Sequence, residues 1–308
     1  MIAPRFSLLQ RILELVICGL LLSLGPAVRA QQDDDVIRVN TDLVVLNVTV
    51  TDPAGQYVAG LSRTDFKIFE DGKEVPASSL VGFSLQETPF ASVVLLDTSG
   101  SMESRLALGR SAAIRFLDGL RDEDVAAVFR FDTKIEQLQD FSGGRDLAPL
   151  AFSIKASGLT VLNDAIIKAA AALTARPEKR KAIIVLSDGA DTHSGATAGK
   201  ALDVALAAGA SIYTVDMSER DGSSVNGPGT MALKYFAEKS GALFVSSPGG
   251  PALRDAFANI AQELGHQYTI AYRPVNQTRD GRWRNIEVRL SRTNLTVRTR
   301  KGYRAPKK

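Results

Sequence analysis

Hydrophobic residues follow two different periods along this chain, with changeovers near residues 90 and 265. At the first stretch, Val44, Leu46, Val48 and Val50 alternate with Val45, Asn47, Thr49 and Thr51, the two-residue period of a strand buried on one face. Asp52-Pro53-Ala54-Gly55 carries turn residues, and Phe66-Lys67-Ile68-Phe69-Glu70 followed by Asp71-Gly72-Lys73 reads as a strand and hairpin turn. Residues 36–88 are therefore expected to form a small all-β unit of three to five short strands. From residue 91 the apolar runs become continuous. Val93-Val94-Leu95-Leu96 has no polar interruption, as in a parallel strand covered by helices on both faces. Strands are expected over 92–97, 125–132, 181–188, 211–216 and 242–246, with a short antiparallel edge strand near 136–141. Between them, Leu106, Ala113, Leu117 and Leu120 share one face of a helix. Further helices are expected near 146–155, 162–175, 197–208, 229–239 and 251–264. Alternating strands and helices predict a doubly wound, mostly parallel six-stranded α/β sheet over residues 89–264.

After Gly265 the two-residue period returns, with Tyr268, Ile270 and Tyr272, then Ile286, Val288 and Leu290 around an Asp280-Gly281 turn, and one more strand over 295–299. Flanks of roughly 40–55 residues are too small to bury a core separately. Residues 36–88 and 265–304 are thus expected to pair as one small all-β domain, a sandwich formed by the N- and C-terminal segments. The α/β domain is inserted between its halves, and two separate β appendages are the alternative. The helix over 251–264 is expected to enter the second β segment through Gly265 with little slack.

The N-terminus changes the compartment. Arg5 and Arg11 precede an apolar stretch from Leu15 to Leu24, and Val28-Arg29-Ala30 offers a cleavage site before Gln31. This pattern is that of a secretory signal peptide over residues 1–30, and the stretch is shorter than the roughly 20 apolar residues of a spanning helix. A secreted or periplasmic protein with no integral membrane segment in its mature chain is expected. An uncleaved anchor and a lipoprotein built on Cys18 are the competing readings. Loss of Arg5, Arg11, Arg29 and Glu14 leaves 34 basic and 33 acidic residues, a balance that gives no reason to expect nucleic acid as a partner. Cys18 is the chain's one cysteine, so the mature chain has no thiol chemistry.

Asp97-Thr98-Ser99-Gly100-Ser101 follows the apolar run directly. Ligands in open α/β sheets bind beyond the carboxyl ends of such strands, and Asp97, expected at a solvent-facing strand end, stands there with two hydroxyls. Hard oxygen donors carrying a single charge suit a small divalent cation such as Mg²⁺. A helix cap ahead of Glu103 is the simpler use of the same residues.

The pattern D-x-S-x-S resembles the metal-ion-dependent adhesion site of von Willebrand factor type A domains. That family also takes a threonine and a second aspartate from later loops, and Thr160, in the loop from Ser157 to Asp164, and Asp188, followed by Gly189, fill those places in order. The resemblance covers residues 91–264, and the layout looks like secreted bacterial proteins with a type A domain between β segments. It implies that Asp97, Ser99, Ser101, Thr160 and Asp188 form a metal site for Mg²⁺, or else Mn²⁺ or Ca²⁺. In the family the serines coordinate directly and the others directly or through water, and the cation takes a carboxylate from a partner protein. It implies a protein-binding module for adhesion or assembly, not an enzyme. The alternatives are a Mg²⁺-dependent phosphatase or hydrolase, with Asp97 as nucleophile or His193 beside Ser99, and a structural scaffold with a vestigial metal site. Asp132, Asp164, Asp191 and Asp216 are expected to act mainly as turn or helix caps, and the polar loop 217–230 is a candidate for shaping partner choice.

Overall fold

The computed structural model describes residues 43–84, 88–218, 227–246 and 251–307. The signal-like segment and most of the polar loop 217–230 lie outside the described residues.

The changes of period mark real changes of architecture. Strands β1 (Val44–Thr51), β2 (Phe66–Glu70), β3 (Lys73–Glu74) and β4 (Leu80–Ser84) precede the α/β region. That region runs β5 (Phe90–Asp97), α1 (Leu106–Asp118), β6 (Val125–Phe131), β7 (Ile135–Ser142), α2 (Leu150–Ser153), α3 (Leu162–Thr174) and β8 (Arg180–Ser187). It continues with α4 (Ala198–Ala207), β9 (Ala210–Asp216), α5 (Pro228–Ser240), β10 (Phe244–Val245) and α6 (Pro251–His266). Strands β11 (Tyr268–Tyr272), β12 (Trp283–Leu290), β13 (Thr296–Arg298) and β14 (Gly302–Arg304) follow.

The central sheet has six strands in the order β10-β9-β8-β5-β6-β7. All its pairings are parallel except β6 with β7. The unbroken apolar run in β5 is explained by its alternation between two cores. Val94 and Leu96 pack with Phe116, Leu117 and Phe257 on the α1–α6 face, while Val93 and Leu95 pack with Ile166, Leu202 and Phe236 on the α3–α5 face. Successive side chains of a strand point to opposite faces, so a strand covered on both sides has no place for a polar residue until its end.

The flanking strands form two antiparallel four-stranded sheets, β13-β1-β11-β4 and β14-β12-β2-β3. N- and C-terminal strands interleave within each: Leu46 lies opposite Ile270, and Ile68 opposite Val288. The inward residues of both sheets, among them Leu46, Val48, Phe66, Ile68, Tyr268 and Ile286, share one core.

Some elements differ from expectation. The helix near 146–155 shrinks to the single turn of α2, because Pro149 and the extended Ile154 bracket it. Gly265 is not a connector: α6 continues through it to His266, and Tyr268 begins the next strand. Strand β14 had no counterpart in the sequence pattern. It pairs with β12 over Trp283–Asn285, where Gly302 leaves room for the Trp283 ring, a Cβ there falling 2.5 Å from it.

The sandwich and the α/β region meet through buried polar groups. Glu263 of α6, fully buried, accepts from the Tyr213 hydroxyl at 2.8 Å and the Thr49 hydroxyl at 3.2 Å, and pairs with Arg298 at 2.5 Å. Gln267 donates to both Thr49 and Tyr213. Burial, and then the Glu263 charge, hold the Tyr213 hydroxyl well above its ordinary pKa. Arg180, also fully buried, donates to Thr269 at 3.0 Å.

Candidate functional site

Strands β5 and β8 are neighbours, so their carboxyl ends bring Asp97 and the segment Ser187-Asp188 to one place. The turn after β5 is drawn back by the Ser99 N–H, which donates to Asp97 Oδ1 at 2.9 Å. That turn sets the Ser99 and Ser101 Oγ atoms 3.1 Å apart. Asp97 Oδ2 accepts the Ser187 hydroxyl at 2.5 Å, and Ser187 Oγ accepts the Gly189 N–H at 2.9 Å.

Asp97 does not face solvent: only 2% of it is exposed, and Ser99 is equally enclosed. The loop before α3 covers them. Ser157 N–H donates to Thr98 O at 2.9 Å and Gly100 N–H to Gly158 O at 3.2 Å. Gly158 has φ +78° and sits so close to Thr133 that a Cβ would fall 2.6 Å from its hydroxyl. Thr160, buried, arrives on this same loop. Its N–H donates to Thr192 Oγ1, and its carbonyl accepts the Thr192 and His193 N–H groups, each at 3.0 Å. The loops carrying Thr160 and Asp188 are thereby tied together. Ser101 is exposed and Asp188 half-buried, so these two form the outer side of the group.

Burial pushes the Asp97 carboxyl up to about 6. The hydrogen bonds from Ser187 and Ser99 pull it back, and the Asp188 charge pushes it further up. A second carboxylate near a buried one is costly unless a positive charge joins them.

The other aspartates at the rim have partners. Asp132 pairs with Arg130 at 2.6 Å and accepts the Lys134 N–H and the Thr98 hydroxyl. Asp216 accepts the Ser218 N–H and the Thr230 hydroxyl. Asp191 accepts the Asn163 and Ser194 N–H groups, and Asp164 those of Gly195 and Ala196. Asp132, Asp191 and Asp216 cap local turns, as expected, whereas Asp164 ties its helix to the 195–196 loop. His193 is exposed and meets the site through its backbone N–H. Ser187 is the participant that sequence reasoning missed. Its signal was there, a lone hydroxyl closing the apolar run Ile183-Ile184-Val185-Leu186 just before Asp188.

The far side of the site is fixed by two glycines. Gly189 has φ +77°, and a Cβ there would fall 2.2 Å from Gly229 O, while a Cβ on Gly229 would fall 2.3 Å from Asp188 O. The N-terminal turn of α5 therefore touches the Asp188 loop backbone to backbone.

Among the described residues no three His, Cys, Asp or Glu side chains cluster. What converges is a buried carboxylate, a pair of adjacent hydroxyls and a half-buried carboxylate, with the loop that carries Thr160 laid over them. An all-oxygen set of this kind fits a hard cation and not a thiolate- or imidazole-bound one.

Residues 92–190 match the family model of the von Willebrand factor type A domain. Over that stretch the chain is similar to a von Willebrand factor type A domain. All five candidate residues fall inside the matched stretch. No curated protein matches the chain. Among solved structures, an aerotolerance-related membrane protein from Bacteroides fragilis is similar at 17% identity, covering 57% of this chain and 98% of that one, with a TM-score of 0.47. The von Willebrand domain of a type V pilus tip protein from Porphyromonas gingivalis is similar at 15%, covering 58% and 95%, with a TM-score of 0.46. A von Willebrand factor type A protein from Catenulispora acidiphila is similar at 14%, covering 81% and 76%, with a TM-score of 0.47.

Proposed function

We propose that this chain is a protein-interaction module, secreted or periplasmic, in which Asp97, Ser99, Ser101, Thr160 and Asp188 hold a divalent cation and a partner protein supplies a carboxylate to it. Magnesium suits the donors best, with manganese or calcium as substitutes. The observation that carries the reading is the Asp97 carboxylate: enclosed, raised in pKa by burial and by Asp188, and set beside two hydroxyls 3.1 Å apart. A bound cation supplies the positive charge that such a group lacks, and neutral hydroxyls leave enough of that charge to attract an acidic side chain.

The chain's own groups do the positioning. Ser187 and the Ser99 N–H fix both Asp97 oxygens, and Thr192 and His193 fix the Thr160 loop. These contacts also argue against the phosphatase alternative, because a carboxylate with both oxygens engaged is a poor nucleophile. That alternative further wants a carboxylate where Ser99 stands. The near balance of charge in the mature chain favours a protein over a nucleic acid as partner. Among the described residues no helix is long and apolar enough to cross a membrane.

Calorimetry of the mature protein with Mg²⁺ and Mn²⁺ tests the metal, and capture of partners from the native envelope with and without EDTA tests the interaction. Absence of uptake at millimolar metal defeats the reading, as does turnover in a phosphatase or esterase screen that Asp97→Asn abolishes.

A further inference from the structure

Away from the carboxyl-end site, the seam between the sandwich and the α/β region holds an arginine with too little negative charge around it. Arg300 is 9% exposed, and its Nε has no hydrogen-bond partner among the described residues. Its Nη1 donates to Leu206 O at 3.0 Å, in the last turn of α4. A helix C-terminus offers roughly half a negative charge, against the full positive charge of a guanidinium. Among the described residues no carboxylate pairs with Arg300. The titratable groups that face it are the Tyr272 and Tyr303 phenols, both raised by burial and by Glu70, and both already donating to Glu70 Oε2. Burial lowers Arg300 to about 10. A buried charge left without a counter-charge is among the costlier features a fold can carry.

Arg300 also lines a cavity of about 10 Å³, together with Asn47 of β1 on the sandwich side and Ser211 of β9 and Ser240 of α5 on the α/β side. That leaves room for one small occupant. The Ser240 hydroxyl is already used, accepting the Ile212 N–H at 2.8 Å and donating to backbone. The Asn47 carbonyl accepts the Thr269 hydroxyl, which leaves its amide N–H groups over. The Ser211 hydroxyl has no partner among the described residues. The cavity wall thus carries a positive charge without a counter-charge, with amide and hydroxyl donors beside it. A small anion accepts from each of these donors and also supplies the counter-charge that a neutral water does not.

We propose that this cavity is a binding site for a single halide-sized anion, chloride in ordinary media, held by Arg300 together with Asn47 and Ser211. Its placement is built into the fold. Gly241, with φ +79°, lets the segment carrying Arg300 lie directly on the end of α5: a Cβ there would fall 2.2 Å from Thr299 C and 2.3 Å from Arg300 N. Lys301 N–H donates to Lys239 O at 3.1 Å on the same helix end. The anion therefore joins groups from both layers and stabilises their seam.

The test is thermal unfolding of the mature protein in sodium chloride against sodium gluconate at constant ionic strength, with bromide as the heavy substitute. The expected result is a melting temperature that rises by about 3 °C for each tenfold increase in chloride above its dissociation constant. Bromide has the same effect, and crystals grown in bromide show an anomalous peak beside Arg300. Ser211→Asp supplies a carboxylate in place of the ion, so it melts no lower than wild type in gluconate and loses the halide response; Arg300→Met, if it folds, loses the response as well. Equal melting in chloride and gluconate overturns the proposal. So does an ordered water without bromide in the cavity, or a halide response retained by Ser211→Asp.

Discussion

Ser187 donates a hydrogen bond from its hydroxyl to the Asp97 carboxylate across 2.5 Å, so the last residue of β8 grips the last residue of β5. The grip holds a charge where burial opposes one. It makes the candidate site a place of stored electrostatic cost that metal, acid or mutation should release.

The pH dependence follows from that cost. Asp97 titrates near 6 in the folded chain against an ordinary 3.8. An acid with a raised folded pKa binds its proton more tightly when folded, so its contribution is fully present below about pH 4 and is lost as pH rises through about 6. The difference amounts to roughly 3 kcal/mol at neutral pH. In EDTA, wild type should lose stability over this window and Asp97→Asn should not. At pH 7 Asp97→Asn should melt higher than metal-free wild type while showing no Mg²⁺-dependent rise. A lower melting temperature for Asp97→Asn under those conditions would count against the strained carboxylate.

The paired glycines predict a second effect. Gly189→Ala places a methyl into the backbone of α5 at positive φ, at a cost of at least roughly 2 kcal/mol. Because Gly189 follows Asp188 directly, metal affinity should fall too, measured by titration with Mn²⁺. Unchanged affinity in a destabilised protein would show that the Asp188 loop is positioned by something else.

The polar knot at the seam gives a third. Glu263→Ala leaves Arg298 and the Tyr213 hydroxyl without their shared acceptor, which should cost about 3–5 kcal/mol in denaturant unfolding. A double-mutant cycle with Arg298→Ala should return a large coupling energy. Near-additivity would mean that the pair contributes little beyond packing.

Export gives a fourth. Protein recovered from the native envelope should begin at Gln31, read by N-terminal sequencing. A retained Met1 would favour the anchor.

The architecture was readable where periodicity is strict, and less so where single residues decide. The unbroken run before Asp97 announced a strand covered on both faces, and Val93 and Val94 do go to opposite cores. The alternation in β1 and β11 marked half-buried strands because one face of each meets the sandwich core. Burial of Asp97 was missed because it depends on a loop 60 residues downstream, closed by Ser157 and Gly158. Strand β14 was missed because Gly302-Tyr303-Arg304 is too short for a period. Glu263 was hidden inside a helix, although a carboxylate on the face of Ile260 and Leu264 is itself a sign of a buried partner.

The pairing of Leu46 with Ile270 and of Thr49 with Arg298 has a consequence for how the chain comes to be folded. Strands β1 and β2 leave the ribosome first, yet the strands beside them come last. Contacts of such separation form slowly, and unpaired apolar strands are aggregation hazards while they wait. The α/β region, whose strands and helices follow one another locally, can close first and bring the two ends together. Any truncation inside residues 268–304 therefore exposes Val44, Leu46 and Val48 at the opposite end of the chain, so damage at the C-terminus should be felt as insolubility of the N-terminus.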